Sequence, residues 1–267
     1  MLEPCVSVVI VQRNQSELTL RCIESLARQT HKNMMITVYD NASSYEHVKA
    51  VRSHRGAMVV SMPSNRMFYP VCNLAAASIN NRRLYGRDVN YICFVANDTI
   101  LADTALERLV REASKPHIGW VSAAYQQGNC WGHCVTEFPE AVLAELPDAT
   151  DNLDLWARTL EPRAIGWNKT ETTVFMVPAQ QFLGFDEALG TGHHDIDYGI
   201  RLERAGLRMI VAYDAVVWHQ LGSPTSRACV KDGSIVFTPM EVMDQYLLNK
   251  WGSEYRHWWE GMRPWQR

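Results

Sequence analysis

The stretch VSVVIVQRN, residues 6–14, decides the fold class. Its first six residues are apolar and mostly β-branched, with a single serine among them. An apolar run of this kind is typical of a strand that is buried on both faces, as in a parallel sheet. Gln12, Arg13 and Asn14 follow directly, so we expect these polar side chains at the carboxyl end of that strand.

Apolar runs and helical patterns continue to alternate along residues 1–125. This order predicts an α/β protein with an open, mostly parallel, Rossmann-like sheet and helices on both faces. The chain has no Gly-x-Gly-x-x-Gly sequence after the first strand and no Gly-Lys-Ser/Thr loop, which disfavours a dinucleotide-binding domain and a P-loop NTPase. Strands are predicted over 6–11, 34–39, 57–61 and 89–95, and helices over 16–29, 45–52, 71–84 and 104–113.

The second half of the sequence is less regular. Residues 126–169 contain three prolines and are predicted to form loops with short helices. The tail starts with a helical pattern and ends rich in tryptophan; we expect it to pack back onto the domain, with an oligomer contact as the alternative. We therefore divide a single domain into 1–125, 126–225 and a tail, 226–267. Further strands are predicted over 172–177, 208–212 and 215–219, and a helix over 198–205.

The composition is that of a globular protein of 267 residues with a net charge of −3, which disfavours a strongly basic nucleic-acid binder. No run of 18 apolar residues and no signal-peptide pattern occurs, so we expect no integral membrane segment and a cytoplasmic location. Seven irregularly spaced cysteines predict buried free thiols in a reducing compartment. We interpret Cys-Trp-Gly-His-Cys at 130–134 as a loop rather than a zinc site.

Polar residues also follow two other predicted strands. Asp40 and Asn41 come after the second strand, and Asn97 and Asp98 come after the fourth. Ligands of open α/β sheets bind at the carboxyl ends of the strands, so we expect these side chains to meet at one edge. The alternative for both aspartates is a purely local role in a turn or helix cap.

These segments resemble inverting GT-A glycosyltransferases of family 2, a group that includes rhamnosyltransferase-like enzymes. Residues 6–14 are similar to the opening strand of that family, and 38–43 to its second strand. Residues 94–99 occupy the position of its metal-binding Asp-x-Asp motif. The remaining matches are Gly-Phe-Asp-Glu at 184–187, His-Asp-Ile-Asp at 194–197, the helix end at 201–206 and His219. The resemblance covers roughly residues 5 to 222.

The resemblance implies a GT-A fold with an acceptor-side subdomain and a C-terminal helical tail. It implies transfer of a sugar, of the hexosyltransferase type, from a UDP- or dTDP-sugar to an acceptor hydroxyl, with inversion and with Mn²⁺ or Mg²⁺. Asp98 and His219 would bind the metal ion, Asp40 the base, and Asp195 would be the catalytic base. The nucleotide-sugar pocket would be lined by Gln12, Arg13, Asn14, Asp40, Asn65, Asn73, Asn97 and Asp98, and the acceptor side by Trp167, His194 and Asp197.

Two positions depart from the family pattern: Ala96 replaces the first acidic residue of Asp-x-Asp, and His194 replaces a glutamate. They keep open a non-catalytic module that binds a nucleotide-sugar or a glycan. A nucleotidyltransferase is a third hypothesis, and zinc binding by His193 and His194 a fourth. Both aspartates at 195 and 197 could alternatively be helix caps. The acceptor is open: a glycan, a protein, a lipid-linked sugar and a modified DNA base are all compatible with the sequence.

Overall fold

A computed structural model describes residues 3–79, 83–84, 86–126, 150–162, 164–166, 172–220 and 224–261. The strands are β1 (Val6–Gln12), β2 (Met34–Asp40), β3 (Met58–Ser61), β4 (Arg83–Leu84), β5 (Arg87–Asp88), β6 (Tyr91–Ala96), β7 (Thr99–Leu101), β8 (Ile118–Gln126), β9 (Ala164–Gly166), β10 (Val174–Pro178) and β11 (Arg208–His219). The α-helices are α1 (Ser16–Ala27), α2 (Tyr45–Ser53), α3 (Phe68–Ala77), α4 (Ala105–Ala113), α5 (Thr150–Thr159), α6 (His194–Arg204), α7 (Pro224–Lys231), α8 (Met240–Trp251) and α9 (Ser253–Gly261).

One large sheet has the strand order β3-β2-β1-β6-β10-β8-β11-β7, and β9 pairs with β11 beside this path. From β3 to β6 every pairing is parallel, as the sequence predicts. Beyond β6 the sheet is mixed, which agrees with the prediction of a mostly parallel sheet. There β10 runs antiparallel to both β6 and β8, while β8 and β11 are again parallel. The α/β class is confirmed.

Hydrophobic clusters cover both faces of the sheet because successive strand side chains point to opposite sides. On one face Val8 and Ile10 of β1 pack with residues of α1 and α4. On the other face Val9 packs with residues of α3 and α6. Strand β1 is therefore buried on both faces, which explains its uninterrupted apolar sequence.

Several predicted boundaries are wrong. The helix predicted over 71–84 is α3, which begins earlier and ends at Ala77 before the β4–β5 hairpin. The strands predicted over 208–212 and 215–219 are one strand, β11, with a register shift against β8 between Ala212 and Val216. Helix α5 lies within 126–169, where short helices are predicted, whereas β7 and β8 have no counterpart among the predicted strands.

The tail packs back onto the domain, as predicted. Helices α8 and α9 bury Leu247, Tyr255 and Trp258 against Ile196 and Ile200 of α6. Five cysteines, Cys5, Cys22, Cys72, Cys93 and Cys229, are buried free thiols, whereas the 130–134 motif lies outside the described residues. No helix among the described residues is both long and apolar enough to span a membrane.

Trp120 is the largest fully buried side chain among the described residues, and its loss should destabilise the fold. Its ring stacks on Phe175 at 3.9 Å, and its Nε1 donates to Ser122 Oγ at 2.8 Å. We expect Trp120→Ala to lower the free energy of unfolding by about 3–5 kcal/mol, because truncating a buried tryptophan leaves a cavity. Leu155→Ala is the control: Leu155 is 61% exposed, and its loss should change stability by less than about 0.5 kcal/mol. Urea denaturation measures both, and similar losses in the two variants would contradict this account of the core.

Candidate active site

Parallel pairing brings the polar strand ends together at one edge of the sheet. Gln12 of β1 is in register with Asp40 of β2, and Val11 of β1 with Ala96 of β6. Asn97 and Asp98 form the turn that follows β6. A cleft of about 260 Å³ opens at this edge. Its lining includes the predicted residues Gln12, Arg13, Asn65, Asn97, Asp98 and His219.

Asp98 and His219 lie side by side in the cleft although they are distant in sequence. Strand β7 follows the Asn97-Asp98 turn and pairs antiparallel with β11, which places Thr99 opposite His219. His219 Nε2 lies 3.3 Å from Asp98 Oδ1, and each residue is 7% exposed. The backbone N–H of Gln220 also donates to the carbonyl oxygen of Asp98 at 3.0 Å, so the two chain segments are held together.

The Asp98–His219 pair has the donor chemistry of half a metal site. A carboxylate oxygen and an imidazole nitrogen suit Mn²⁺, and carboxylates also suit Mg²⁺. The described residues contain no group of three or more His, Cys, Asp or Glu side chains that could hold a metal ion. Ala96 lines the same cleft and contributes a methyl group where a further carboxylate would stand. The pair therefore fits a divalent ion whose remaining ligands come from a bound substrate or water.

Asp40 is buried and already hydrogen-bonded at the end of β2. Its Oδ1 accepts from Gln12 Nε2 at 2.9 Å, and its Oδ2 accepts from the backbone N–H of Ser43 at 3.3 Å. Asp40 is not among the cleft-lining residues, whereas Gln12 and Asn41 are. Asp40 therefore combines the predicted turn contact with a contact to a residue of the cleft.

Arg13 and Asn14 fasten the loop after β1 to the loop after β2. Arg13 Nη1 donates to the carbonyl oxygens of Asn41 and Ala42 at 3.1 and 2.7 Å. Asn14 Oδ1 accepts from the backbone N–H of Ser44 at 2.8 Å. Arg13 lines the cleft and Asn14 does not, so the two neighbours differ in their access to a ligand.

Asn65 and Asn97 line the cleft and connect it to the segment after β11. Asn65 Oδ1 accepts from Asn41 Nδ2 at 2.7 Å, and its Nδ2 donates to the carbonyl oxygen of Ser234 at 3.3 Å. Asn97 Oδ1 accepts from Thr225 Oγ1 at 3.1 Å. Both amides therefore contact the cleft and the C-terminal part of the chain.

Asn73 lies outside the lining of the cleft. It makes a two-way bridge to Phe185: the Phe185 N–H donates to Asn73 Oδ1 at 2.6 Å, and Asn73 Nδ2 donates to the Phe185 carbonyl at 2.9 Å. The same Nδ2 donates to Glu187 Oε1. Asn73 thus anchors the segment that leads to α6.

Helix α6 begins at His194, so Asp195 lies in its first turn rather than on a loop before the helix. His193 precedes the helix with a φ of 61°, and its own side chain makes no cap hydrogen bond to the helix. Asp195 is 8% exposed and is not among the cleft-lining residues. Its side chain forms no hydrogen bond or ion pair with another described residue, although its charge acts on the nearby Tyr255 hydroxyl. Tyr69 connects this turn to the cleft, because it lines the cleft and stacks on the His194 ring at 3.5 Å.

Asp197 is the centre of a buried polar cluster. Its Oδ2 accepts from Arg201 Nε at 2.9 Å, and its Oδ1 accepts from Lys250 Nζ at 2.6 Å and from Trp251 Nε1 at 2.9 Å. Lys250 also pairs with Asp186 at 2.5 Å. Asp197 therefore ties α6 to the tail. Trp167, the remaining predicted acceptor-side residue, lies outside the described residues.

Sequence reasoning missed part of the cleft wall. Thr225 and Cys229 of α7 and Ile235 beyond it line the cleft. Arg13 Nη2 reaches Asp232 of the same segment at 3.4 Å. The resemblance ended at residue 222, and no periodicity in this stretch marks it as part of a site, so its contribution emerges only from the tertiary structure.

Comparison with known proteins identifies the family to which this chain belongs. The family model described as glycosyl transferase family 2 matches residues 7–172, more than half of the chain. The chain belongs to glycosyl transferase family 2. The match includes β1, β2, β6 and the Asn97-Asp98 turn, whereas Asp195 and His219 lie beyond it. Among curated protein sequences none matches this family 2 chain.

Solved glycosyltransferase structures share the GT-A fold of this family 2 chain. A mannosyltransferase from Pyrobaculum calidifontis is 15% identical, with 90% of this chain and 67% of that one covered and a TM-score of 0.59. TarS of S. aureus, residues 1–349, is 13% identical, with 90% and 64% covered and a TM-score of 0.60. GalNAc-T7 is 15% identical, with 97% and 51% covered and a TM-score of 0.66. The family 2 chain thus spans about half to two thirds of these structures.

The buried His194 should make the stability of this family 2 chain depend on pH. Desolvation lowers the pKa of His194 from 6.5 to about 4; the charges of Asp197 and Asp186 and the Asp186 backbone oppose the shift, and His193 adds to it. The unfolded chain binds a proton at this residue near pH 6.5 and the folded chain does so only near pH 4. The contribution of the neutral His194 to the free energy of unfolding is therefore complete above pH 6.5 and is lost as the pH falls to 4.

We expect the wild type to lose on the order of 3 kcal/mol more of its unfolding free energy than His194→Phe between pH 7 and pH 4. Denaturation curves across that range measure the difference, and subtraction removes the contribution of the other titrating groups. His257→Phe, at an exposed position on α9, is the control and should keep the wild-type slope. Parallel stability curves for wild type and His194→Phe would refute the assignment.

Proposed function

We propose that this chain transfers a sugar from a UDP- or dTDP-sugar to an acceptor hydroxyl, with inversion at the anomeric carbon and with help from Mn²⁺ or Mg²⁺. The observation that carries the proposal is the pairing of Asp98 with His219 at 3.3 Å inside the cleft. Family membership supports the reaction class. The similar structures were solved with GDP-Man and Mn²⁺, with UDP-GlcNAc, and with UDP, GalNAc and Mn²⁺.

The donor half of the site must neutralise the diphosphate that leaves the sugar. A divalent ion bound there would act as a Lewis acid on the phosphate oxygens. Asp98 and His219 would hold it, because their donor atoms are adjacent, little exposed and on the wall of the cleft. Asn97, Asn65, Gln12 and Arg13 extend the polar lining from that pair towards β1, where the nucleoside would lie.

Asp195 is proposed as the base that removes the proton of the acceptor hydroxyl. The hydroxyl oxygen then forms a bond to the anomeric carbon on the face opposite the leaving phosphate oxygen. The bond from the anomeric carbon to that oxygen breaks, and the nucleoside diphosphate takes the electron pair. The support is a carboxylate that is mostly buried and has no partner among the described residues. By contrast, the structural carboxylate of Asp197 accepts hydrogen bonds at both of its oxygens.

The acceptor side is proposed around the first turn of α6. His194 contributes a ring that stacks on Tyr69, and Asp197 holds the helix through Arg201 and Lys250. Trp167 stays a proposed acceptor contact. A glycan, a protein, a lipid-linked sugar and a modified DNA base all carry a hydroxyl that this chemistry can use, so the acceptor class is left to experiment.

A binding module without catalysis is the second candidate, favoured by Ala96 and His194 at positions that are acidic in the family pattern. The two candidates differ in one measurement: a transferase slowly releases UDP or dTDP from its donor by hydrolysis, and a binding module does not. The two predictions that follow test donor binding and catalysis separately.

Donor binding should depend on the Asp98 carboxylate. We expect UDP or dTDP with Mn²⁺ to raise the melting temperature, because a ligand at 100 times its Kd stabilises the native state by about 2.7 kcal/mol. The rise should vanish in Asp98→Ala and shrink in His219→Ala. Asp88→Ala removes an exposed carboxylate on β5 and should keep the full shift. An undiminished metal-dependent shift in Asp98→Ala would disprove the metal assignment.

Catalysis should depend on Asp195 without a matching change in donor binding. We expect Asp195→Asn to lower the rate of UDP or dTDP release from the donor by about 10²–10⁴-fold, the range for loss of a general base. The nucleotide-induced melting shift should stay at its wild-type value. Glu241→Gln, an equal loss of charge at an exposed position on α8, is the control. Wild-type turnover in Asp195→Asn would exclude this residue as the base.

A further inference from the structure

Gln12 is a polar side chain that the strand order buries completely at the end of β1. It is 0% exposed, it lies in register with Asp40 of β2, and it lines the cleft. A glutamine in such a position normally satisfies both its amide groups, because an unpaired buried polar atom is costly. Among the described residues only one of the two groups finds a hydrogen-bond partner.

The contact with Asp40 fixes the orientation of the Gln12 amide. An ionised carboxylate can only accept hydrogen bonds, so the NH₂ group of Gln12 must face Asp40. The observed distance from Gln12 Nε2 to Asp40 Oδ1 is 2.9 Å. The other carboxylate oxygen, Oδ2, accepts from the backbone N–H of Ser43 and so holds Asp40 itself in place. The amide oxygen of Gln12 is thereby committed to a role as acceptor.

That amide oxygen, Oε1, is buried and has no hydrogen-bond partner among the described residues. It belongs to a residue of the cleft wall, so a ligand in the cleft is the natural source of the missing donor. The position of Gln12 also indicates which part of the ligand supplies that donor. The Asp98–His219 pair lies beyond β6 and Gln12 lies on β1, the next strand in the sheet. With the diphosphate at the pair, the base lies towards β1 and β2.

We propose that Gln12 selects the base of the donor by accepting a hydrogen bond from a ring N–H, which assigns the donor to nucleotides with a keto base. Uracil and thymine carry that hydrogen on N3, and guanine carries it on N1. Adenine and cytosine have a bare ring nitrogen at the corresponding position, and their amino groups carry two hydrogens, of which a single acceptor satisfies one. The inference rests on the proposed function, because it requires a nucleoside diphosphate in the cleft.

Asp40 then has a different role from the one its sequence position predicts. Both of its oxygens accept hydrogen bonds from this chain, it is 1% exposed, and it is not part of the cleft lining. It acts as a positioning residue that holds the Gln12 amide with its oxygen available. The base is therefore contacted by Gln12 at the end of β1 and not by Asp40 at the end of β2.

N-methylated nucleotides test the hydrogen bond without any change in the protein. Isothermal titration calorimetry with Mn²⁺ compares UDP with N3-methyluridine diphosphate, and GDP with N1-methylguanosine diphosphate; dTDP, CDP and ADP complete the panel. We expect one keto nucleotide to bind best and its methylated form to bind about 10-fold or more weakly, in the range for one lost buried hydrogen bond. The nucleotide whose affinity falls on methylation shows whether the donor carries uracil or guanine.

Protein variants then assign the effect to Gln12. Gln12→Met has nearly the same length and no acceptor, so the ratio of Kd values between methylated and unmethylated nucleotide should fall to about 1. Gln245→Met makes the same chemical change at an exposed position on α8 and should keep the wild-type ratio. Asp40→Asn should reduce the ratio as well, because an amide at 40 permits either orientation of the Gln12 amide. A melting temperature for each variant verifies folding.

The outcomes separate this inference from the function on which it rests. Equal binding of each nucleotide and its methylated form by the wild type overturns it, and so does tightest binding of CDP or ADP. An unchanged ratio in a folded Gln12→Met also overturns it. When the methylated nucleotide binds equally well, or when the ratio is unchanged in Gln12→Met, metal-dependent nucleotide binding persists and the proposed function stands. Tightest binding of CDP or ADP overturns the UDP or dTDP donor of the proposed function as well. Absence of binding by every nucleotide overturns both.

Discussion

The whole site depends on the burial of β1 between β2 and β6 in parallel register. This pairing sets Gln12 beside Asp40 and carries the chain after β6 to the same edge. Both faces of β1 are covered, so a slip of one residue would turn Val8 and Ile10 towards the opposite helices and expose the wrong side chains to each. The two hydrophobic clusters on the faces of β1 thus determine which side chains meet at the polar edge of the sheet.

The second constraint is the return of the chain through β11. The antiparallel pairing of β7 with β11 places His219 beside Asp98, and the segment after β11 then crosses the cleft. Hydrogen bonds from Thr225 to Asn97 and from Asn65 to Ser234 attach that segment to the first half. Residues 7–172 carry the family match, yet the cleft is complete only with residues from this later part of the chain.

Local pattern in the sequence was sufficient for β1, α1, β2 and the polar strand ends, because burial on both faces leaves a clear apolar signal. It was insufficient for β7, whose three residues are too few to show a period, and for α6, whose first turn is polar. The approach of His219 to Asp98 was inferred from resemblance, since no spacing rule connects them. The orientation of the Gln12 amide could not be inferred at all, because it arises from a contact across two strands.

The departures from the family pattern are consistent with the electrostatics of the site. Burial holds His194 neutral at physiological pH, with a pKa of about 4, so the residue beside Asp195 adds no charge where a glutamate would add a negative one. The structural carboxylate Asp197 is compensated by Arg201 and Lys250. Among the described residues, a carboxylate with several hydrogen bonds and one with no hydrogen bond or ion pair therefore lie two residues apart on one helix. Leaving a buried polar group unpaired is costly, and groups of this kind persist where a ligand completes them. That reasoning applies to the amide oxygen of Gln12, a buried atom on a residue of the cleft wall that has no hydrogen-bond partner among the described residues.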